Sequence, residues 1–486
     1  MAIQQLDFAI IGAGFSGIGA AIKIQEAGFK NFKVFEKTKG ISGTWYDNDY
    51  PGAACDVPSH LYCYSFAPNP DWSRIYSPQS EIRSYVEAVV DQNNLRSHLQ
   101  FETEIVSAEF NEQTALWTLK TAKNEKFLAR FVVWSVSFLG TPAIPSFTGL
   151  DNFQGKVFHT ARWDRSVDLS GKNVVIIGSA ASALQIGPVI APKVKSLTMF
   201  QRTANYVMPR GDRDYSGFEK WLFRQFPFFN RLLRSWLNAR QDKFFFRAMK
   251  PGSWVNTIIR KRSLNYLKQK IKDPVLRKKL TANIDVGCKR ILISDDFYDM
   301  FCRDNVNLQT DGIAEFGADY IETKAGERIK ADVVVMATGF LATEFMPGVN
   351  MTGANGASLA KWRDDLRALK GLMVPDFPNT FFLLGPNTGL GHSSMILMIE
   401  SQLKYLVDVV TGLKSGVTVA PKSDAVARYN KQLQLELSEM VWSTSCQSWY
   451  KRADGYIPTM WPRTTAAYQT MMSEVDWSEL EVSGDK

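Results

Sequence analysis

The sequence predicts an α/β protein made of two Rossmann-like dinucleotide-binding modules, the second carrying a helical insertion. Three observations predict it. Strand–glycine turn–helix runs occur at Gly12 and at Gly178; each is followed by a second strand that delivers a charged residue 24 positions beyond that glycine; and a basic, aromatic stretch interrupts the second module. The 486 residues suffice for two or three domains, and 45% apolar with 22% charged residues is the usage of a globular chain rather than a disordered one.

In the first module a strand over 6–11 leads into Gly12-Ala13-Gly14-Phe15-Ser16-Gly17 and then a helix over 18–27. Gly12 makes the tight turn, Gly14 lets the backbone approach a pyrophosphate, and Gly17 lets the helix pack closely on the strand. The helix start offers unpaired N–H groups to phosphate. A second strand over 32–35 ends at Glu36, whose carboxylate suits ribose hydroxyls. The following run from Ser42 to Asp56 is too rich in Gly, Pro and aromatics for a regular element, so it reads as a loop of fixed course, with Gly43, Thr44 and Trp45 as cofactor contacts. On residue chemistry alone, Asp56 reads equally well as a functional acid and as a solvated turn residue.

Ser77-Pro78 predicts an N-cap and first helical position. Behind it Ile82, Tyr85, Val86, Val89 and Val90 form one apolar helical face. Alternating runs over 104–110, 116–121 and 127–133 predict a small antiparallel insertion that returns to the main sheet, and the module ends near Pro145. Its exit, Trp134-Ser135-Val136-Ser137-Phe138, carries serines where glycines are expected, which residue chemistry does not explain.

The second module repeats the pattern: a strand over 173–177, then Gly178-Ser179-Ala180-Ala181-Ser182-Ala183, then a helix over 184–190. Gly178 and Ser182 are cofactor candidates. Two glycines have become alanines, so a looser backbone approach is expected at Ala180. The strand over 196–201 delivers Arg202, which suits a 2′-phosphate and hence NADP rather than NAD; a surface arginine at a strand end is the alternative. A return strand over 332–336 exits through the small residues Ala337-Thr338-Gly339, placing Thr338 and Gly339 beside the nucleotide.

Between Arg210 and Lys279, 19 Lys/Arg face five acids, a surplus of 14, so the remainder of the +8 chain is net acidic. These bases interleave with aromatics from Trp221 to Phe246 in a mostly helical insertion over 216–280. Such helices are expected to pack their aromatics inward and solvate their charges; peripheral contact with an anionic membrane is the alternative. Nucleic-acid binding is not expected, because the bases are confined to one insertion. No apolar run reaches the roughly 20 residues of a membrane span, and the N-terminus lacks a signal-peptide pattern. The cysteines (Cys55, Cys63, Cys288, Cys302 and Cys446) are scattered without a Cys-x-x-Cys pair, so neither a metal site nor a redox dithiol is expected, and a cytoplasmic location fits.

Between the modules lies Phe153-x-Gly155-x-x-x-His159-x-x-x-Trp163-Asp164. It matches the F-x-G-x-x-x-H-x-x-x-W-[PD] fingerprint of the Baeyer–Villiger monooxygenases, and the loop from Gly43 to Asp56 resembles that family's second signature. The resemblance implies FAD in a domain formed by 1–145 and 341–486, and NADPH in one formed by 146–215 and 281–340. It implies that NADPH reduces the flavin, that dioxygen adds to it, and that a peroxyflavin attacks a ketone to give an ester or lactone. Small-molecule ketone and dioxygen are thus the implied partners.

By motif, Gly287-Cys288-Lys289-Arg290 resembles the segment carrying the family's active-site arginine. Arg290 would stabilise the developing negative charge, Asp56 would pair with and orient it, and Lys289 would join Arg202 on the 2′-phosphate. His159 and Trp163 are expected to couple the modules rather than to transfer protons. The run Gly385-Pro386-Asn387-Thr388-Gly389-Leu390-Gly391-His392, with Asn387 as a cofactor contact, leads into an apolar helix from about 394 to 409 whose start would face the flavin. Trp449 resembles a residue that contacts NADPH and substrate, although composition alone would make it ordinary core. Two other activities compete: a flavin monooxygenase acting on nitrogen or sulfur, whose fingerprint usually lacks the Trp-Asp ending, and a non-catalytic flavoprotein.

Overall fold

The structure, a computed structural model, describes residues 3–136, 138–414, 416–444 and 448–484. Ser137 of the first exit, Cys446 and Gln447 lie outside the described residues.

The larger sheet is centred on Gln4–Ile11, which pairs in parallel with Phe32–Phe35 on one side and Lys126–Trp134 on the other. A strand buried between parallel neighbours must be apolar on both faces, which is why the run from Phe8 to Ile11 shows no alternation. The expected antiparallel insertion is present. Ile105–Asn111, Leu116–Thr121 and Lys126–Trp134 pair in succession, and the last returns to Gln4–Ile11. Two later strands join this sheet: Thr380–Phe382 alongside Lys126–Trp134, and Asn350–Thr352 at the edge beside Ile105–Asn111. Helix Phe15–Glu26 packs against helix Met395–Gly412 on one face of the sheet.

The smaller sheet is wholly parallel, in the order Val306–Gln309, Ser196–Phe200, Asn173–Ile177, Val333–Met336, Lys156–His159. The segment between the modules is therefore an edge strand, with His159 opposite Met336. A three-stranded antiparallel piece, Ile313–Phe316, Tyr320–Thr323 and Arg328–Lys330, was not anticipated; its strands are too short to show periodicity.

Some local expectations need correction. Pro78 is itself the cap, in an extended conformation, and the helix is Gln79–Gln92; its expected apolar face is buried. The loop from Ser42 to Asp56 contains one helical turn, Thr44–Asp47. The larger correction concerns the insertion, which folds as helices Gly217–Gln225, Pro227–Lys243, Trp254–Lys270 and Pro274–Leu280. Phe223 is buried and Phe244, Phe245 and Phe246 pack partly buried against the core as expected, but Phe218, Trp221, Phe226, Phe228 and Trp236 face solvent. The inward face of Pro227–Lys243 is taken by Asn230, Gln241 and Asp242 around Leu237, so its aromatics lie on the other side. Among the described residues no helix is long and apolar enough to cross a membrane.

Candidate active site between the two nucleotide modules

The first glycine turn is built by close backbone approach. Gly12 has φ +102°, and a Cβ there would lie 2.8 Å from the Ser135 carbonyl oxygen; a Cβ on Gly17 would lie 1.8 Å from the Gly12 oxygen. This accounts for the serine in the exit strand, because the room is made by the glycines facing it. Gly17→Ala is expected to displace the helix from the turn and cost several kcal/mol, in the manner of overpacking a tight contact. Retention of full flavin absorbance by the purified variant, at an unchanged melting temperature, would contradict this.

Helix Phe15–Glu26 starts at Gly14 without a side-chain cap or an acid in its first turn, so its first N–H groups face outward with their positive dipole end. Glu36, buried at the end of its strand, accepts hydrogen bonds from Ala13 N–H (2.9 Å) and from Thr38 N–H and Oγ1 (2.8 and 2.9 Å). The Oε2 atom keeps a lone pair for a further donor. Gly43, at φ +53°, folds the second loop onto this turn, where a Cβ on Gly14 would meet the Gly43 Cα at 3.6 Å. Beside it the Ser42 hydroxyl is buried without a partner among the described residues.

Thr44 begins the helical turn of this loop, and Trp45 Nε1 donates to the Tyr62 hydroxyl at 3.0 Å. The loop then crosses to the second module. The Gln185 side chain, on helix Ala181–Ile190, accepts from Tyr50 Oη (3.0 Å) and donates to the Ala54 carbonyl (2.9 Å). From the other side, Arg162 and Arg165 pair with Asp47 (3.2 Å) and Asp49 (2.6 Å). His159 keeps its ring buried, its Nδ1 accepting the Ala161 N–H at 3.1 Å, and burial pushes its pKa below the usual histidine value. The imidazole caps a short turn of the chain here. Trp163 packs edge-on against Phe158, 4.9 Å between centroids.

The loop ends at Asp56, which meets Arg290 across 234 residues of sequence. Arg290 Nε donates to Asp56 Oδ2 at 2.5 Å and Nη2 to Oδ1 at 2.7 Å, a two-pronged pair that fixes the guanidinium plane. Burial alone would raise the Asp56 carboxyl, but Arg290 outweighs it and the pKa is lowered; Asp56 in turn raises that of Arg290, which stays charged at any working pH. About a third of each side chain remains accessible to solvent. Arg210, a cation that the sequence did not single out, donates to the carbonyls of Cys55 (3.1 Å) and Tyr76 (3.3 Å) and steadies the same loop. Tyr450 also escaped notice. It is buried within electrostatic range of Arg290 and Asp56, and burial pushes its phenol up to about 12 even with Arg290 opposing. An ordinary-looking tyrosine in a loop gives no sequence signal for this.

In the second module Gly178, at φ +114°, turns under the Ala337 carbonyl, and helix Ala181–Ile190 starts without a side-chain cap. Ala180 is extended at φ −90°, so alanine fits without strain. Ser182 sits half-buried in the first turn of that helix. Arg202 is exposed at its strand end, and Lys289 is half-buried within its field; burial, then Arg202, lower the Lys289 pKa. Thr338 Oγ1 donates to the Ala143 carbonyl at 2.5 Å, and Gly339 takes φ +84°.

Asn387 is buried, its Nδ2 donating to Ile457 (2.7 Å) and Met460 (3.0 Å) carbonyls, while Oδ1 has no partner among the described residues. Trp449 is 45% exposed and lies beside Phe138 and Tyr450, so it is not ordinary core. The structure thus brings Arg290 and Asp56 together with Tyr450 and Tyr62, whereas no polar contact joins Asn387 or Trp449 to that pair among the described residues.

These residues fit the two nucleotides. The first turn offers a cradle without side chains, an uncapped helix start, a carboxylate with a spare acceptor and a buried unpaired hydroxyl, as a flavin dinucleotide requires. The second adds two cations held near each other at a cost that a phosphate dianion would relieve.

Residues 5–415 match the family described as flavin-binding monooxygenase-like. The chain is 42% identical to a Baeyer–Villiger monooxygenase of Streptomyces coelicolor, over 99% of this chain and 93% of that one. Its fold is similar to the closed crystal structure of cyclohexanone monooxygenase (27% identity, TM-score 0.89, 100% of each chain). It is equally similar to the OTEMO complex with FAD and NADP (25% identity, TM-score 0.90, 99% of this chain and 100% of that one). Sequence and structure together place the chain in the flavin-binding monooxygenase-like family, among its Baeyer–Villiger monooxygenases.

Proposed function

We propose that this FAD- and NADPH-dependent monooxygenase inserts one oxygen atom of dioxygen beside a ketone carbonyl to give an ester or lactone, with Arg290 as the catalytic cation. The observation that carries the reading is the two-pronged Arg290–Asp56 pair at the meeting of the modules. In this reading FAD occupies 1–145 with 341–486, NADPH occupies 146–215 with 281–340, and 216–280 is an insertion. When bound, the flavin reduced by NADPH supplies the activated oxygen.

The chain's own residues then act by placement. The Arg290 guanidinium offers N–H donors to the oxygen on which negative charge develops, and because it cannot lose its proton it does not quench the attacking species. Asp56 takes up two of its N–H groups and aims the rest. Tyr450 and Tyr62 stay neutral phenols that exclude water from one side of the pair. Arg202 and Lys289 would hold the 2′-phosphate; Gly43, Thr44 and Trp45 would hold the flavin dinucleotide; Gly178, Ser182, Thr338 and Gly339 would hold the nicotinamide nucleotide, with Asn387 and Trp449 as further cofactor contacts.

Product analysis with one ketone and one thioether tests the reading. Ester or lactone from the ketone, with NADPH consumed in equal amount, is the expected result. Sulfoxide formed without any ester would assign the chain to nitrogen or sulfur oxidation instead.

A further inference from the structure

Helix Pro227–Lys243 is anchored inward by polar side chains set around the buried Leu237, and it turns several large apolar side chains outward. Its inward face carries Asn230, Arg234 and Asp242, each satisfied by the rest of the chain. Asn230 Oδ1 meets the His60 ring at 3.0 Å, and Arg234 donates to the carbonyls of His60, Leu61 and Cys63 (3.2, 3.3 and 2.7 Å). Asp242 accepts from the Thr465 N–H (3.0 Å) and hydroxyl (2.7 Å) and from the Ala466 N–H (3.0 Å), and lies 3.1 Å from His392 Nε2. These anchors stop the helix from rolling over. The opposite face carries Phe228, Leu232 and Trp236 at successive turns, 66%, 53% and 56% exposed. Phe229 lies beside them, and rings from the preceding helix extend the patch: Phe218 contacts Trp221, Trp221 contacts Phe226, and Phe226 contacts Phe229, with centroids 5.8, 6.1 and 6.3 Å apart. Monomeric proteins rarely hold so many adjoining aromatics in water without a partner.

We propose that this face docks on an anionic phospholipid surface, the aromatics entering the headgroup region and the surrounding cations facing the lipid phosphates. Charge chooses the occupant. Arg231 and Lys243 are exposed beside the patch, and the segment from Arg210 to Lys279 carries a surplus of 14 positive charges. A second copy meeting this face across a two-fold axis would set like charge against like. An anionic bilayer meets apolar rings and cations with complementary layers. The proposal stands apart from the catalytic reading, since it uses no residue of that site.

The test is flotation of the FAD-loaded full chain with vesicles of phosphatidylcholine alone or mixed equally with phosphatidylglycerol. Co-flotation with the mixed vesicles only, weakened by salt, is expected. Phe228→Ser/Trp236→Ser and Arg231→Glu/Lys243→Glu are each expected to weaken it by roughly tenfold or more. Unchanged flavin absorbance and turnover of a water-soluble ketone establish that the variants are folded. No flotation with the mixed vesicles, flotation that both variants leave intact, or a solution dimer abolished by Phe228→Ser/Trp236→Ser would each overturn the proposal.

Discussion

Arg290→Ala is expected to lower ester formation by on the order of 10²- to 10³-fold while FAD stays bound, the size of effect seen when a preorganised donor to a developing oxyanion is removed. NADPH consumption should continue and end in hydrogen peroxide, because the residues assigned to both nucleotides are untouched. Arg290→Lys separates charge from geometry. A lysine keeps the charge but cannot occupy both Asp56 oxygens with a planar fork and still aim further donors, so it should recover only a small part of the loss. The measurements are ester by gas chromatography, peroxide by a coupled assay and flavin content by absorbance. Ester formation at parental rate in Arg290→Ala would remove this residue from the chemistry, and loss of flavin would make its role structural.

Arg202→Ala/Lys289→Ala is expected to raise the KM for NADPH by on the order of 100-fold, at roughly tenfold per charge-assisted contact, and to leave that for NADH within about threefold. Lys289 adds a pH signature. Its pKa lies below the ordinary lysine value, through burial and then Arg202. It attracts phosphate only while protonated, so as pH rises through that lowered value the KM for NADPH should climb while that for NADH stays level. In Lys289→Met the alkaline limb should flatten. Equal effects of the double substitution on both nucleotides would mean that neither residue reads the phosphate.

Local features were legible in the sequence because their causes are local. Asn173–Ile177 and Phe32–Phe35 follow from apolar runs closed by a glycine or an acid, and Gly12 and Gly17 from the backbone approach that a turn demands. Pairs of distant residues were legible only through the family resemblance: nothing near Asp56 in the chain points to Arg290. Gln185 and Arg210 were missed because a glutamine on a helix and an arginine after a strand look solvated, and only the fold turns them toward the loop over 42–56. The insertion was misread for a related reason. Periodicity groups Phe228, Leu232 and Trp236 on one side of a helix, but which side meets the protein depends on Asn230, Arg234 and Asp242 finding partners far away.

The loop from Gly43 to Asp56 rests one end on the Gly14 turn, its middle on Gln185, and its far end on Arg290. Any engineered chimera that grafts a nicotinamide half from a relative therefore has to transplant this strip together with its three footholds, or the recombined halves will each load their nucleotide and yet waste reductant.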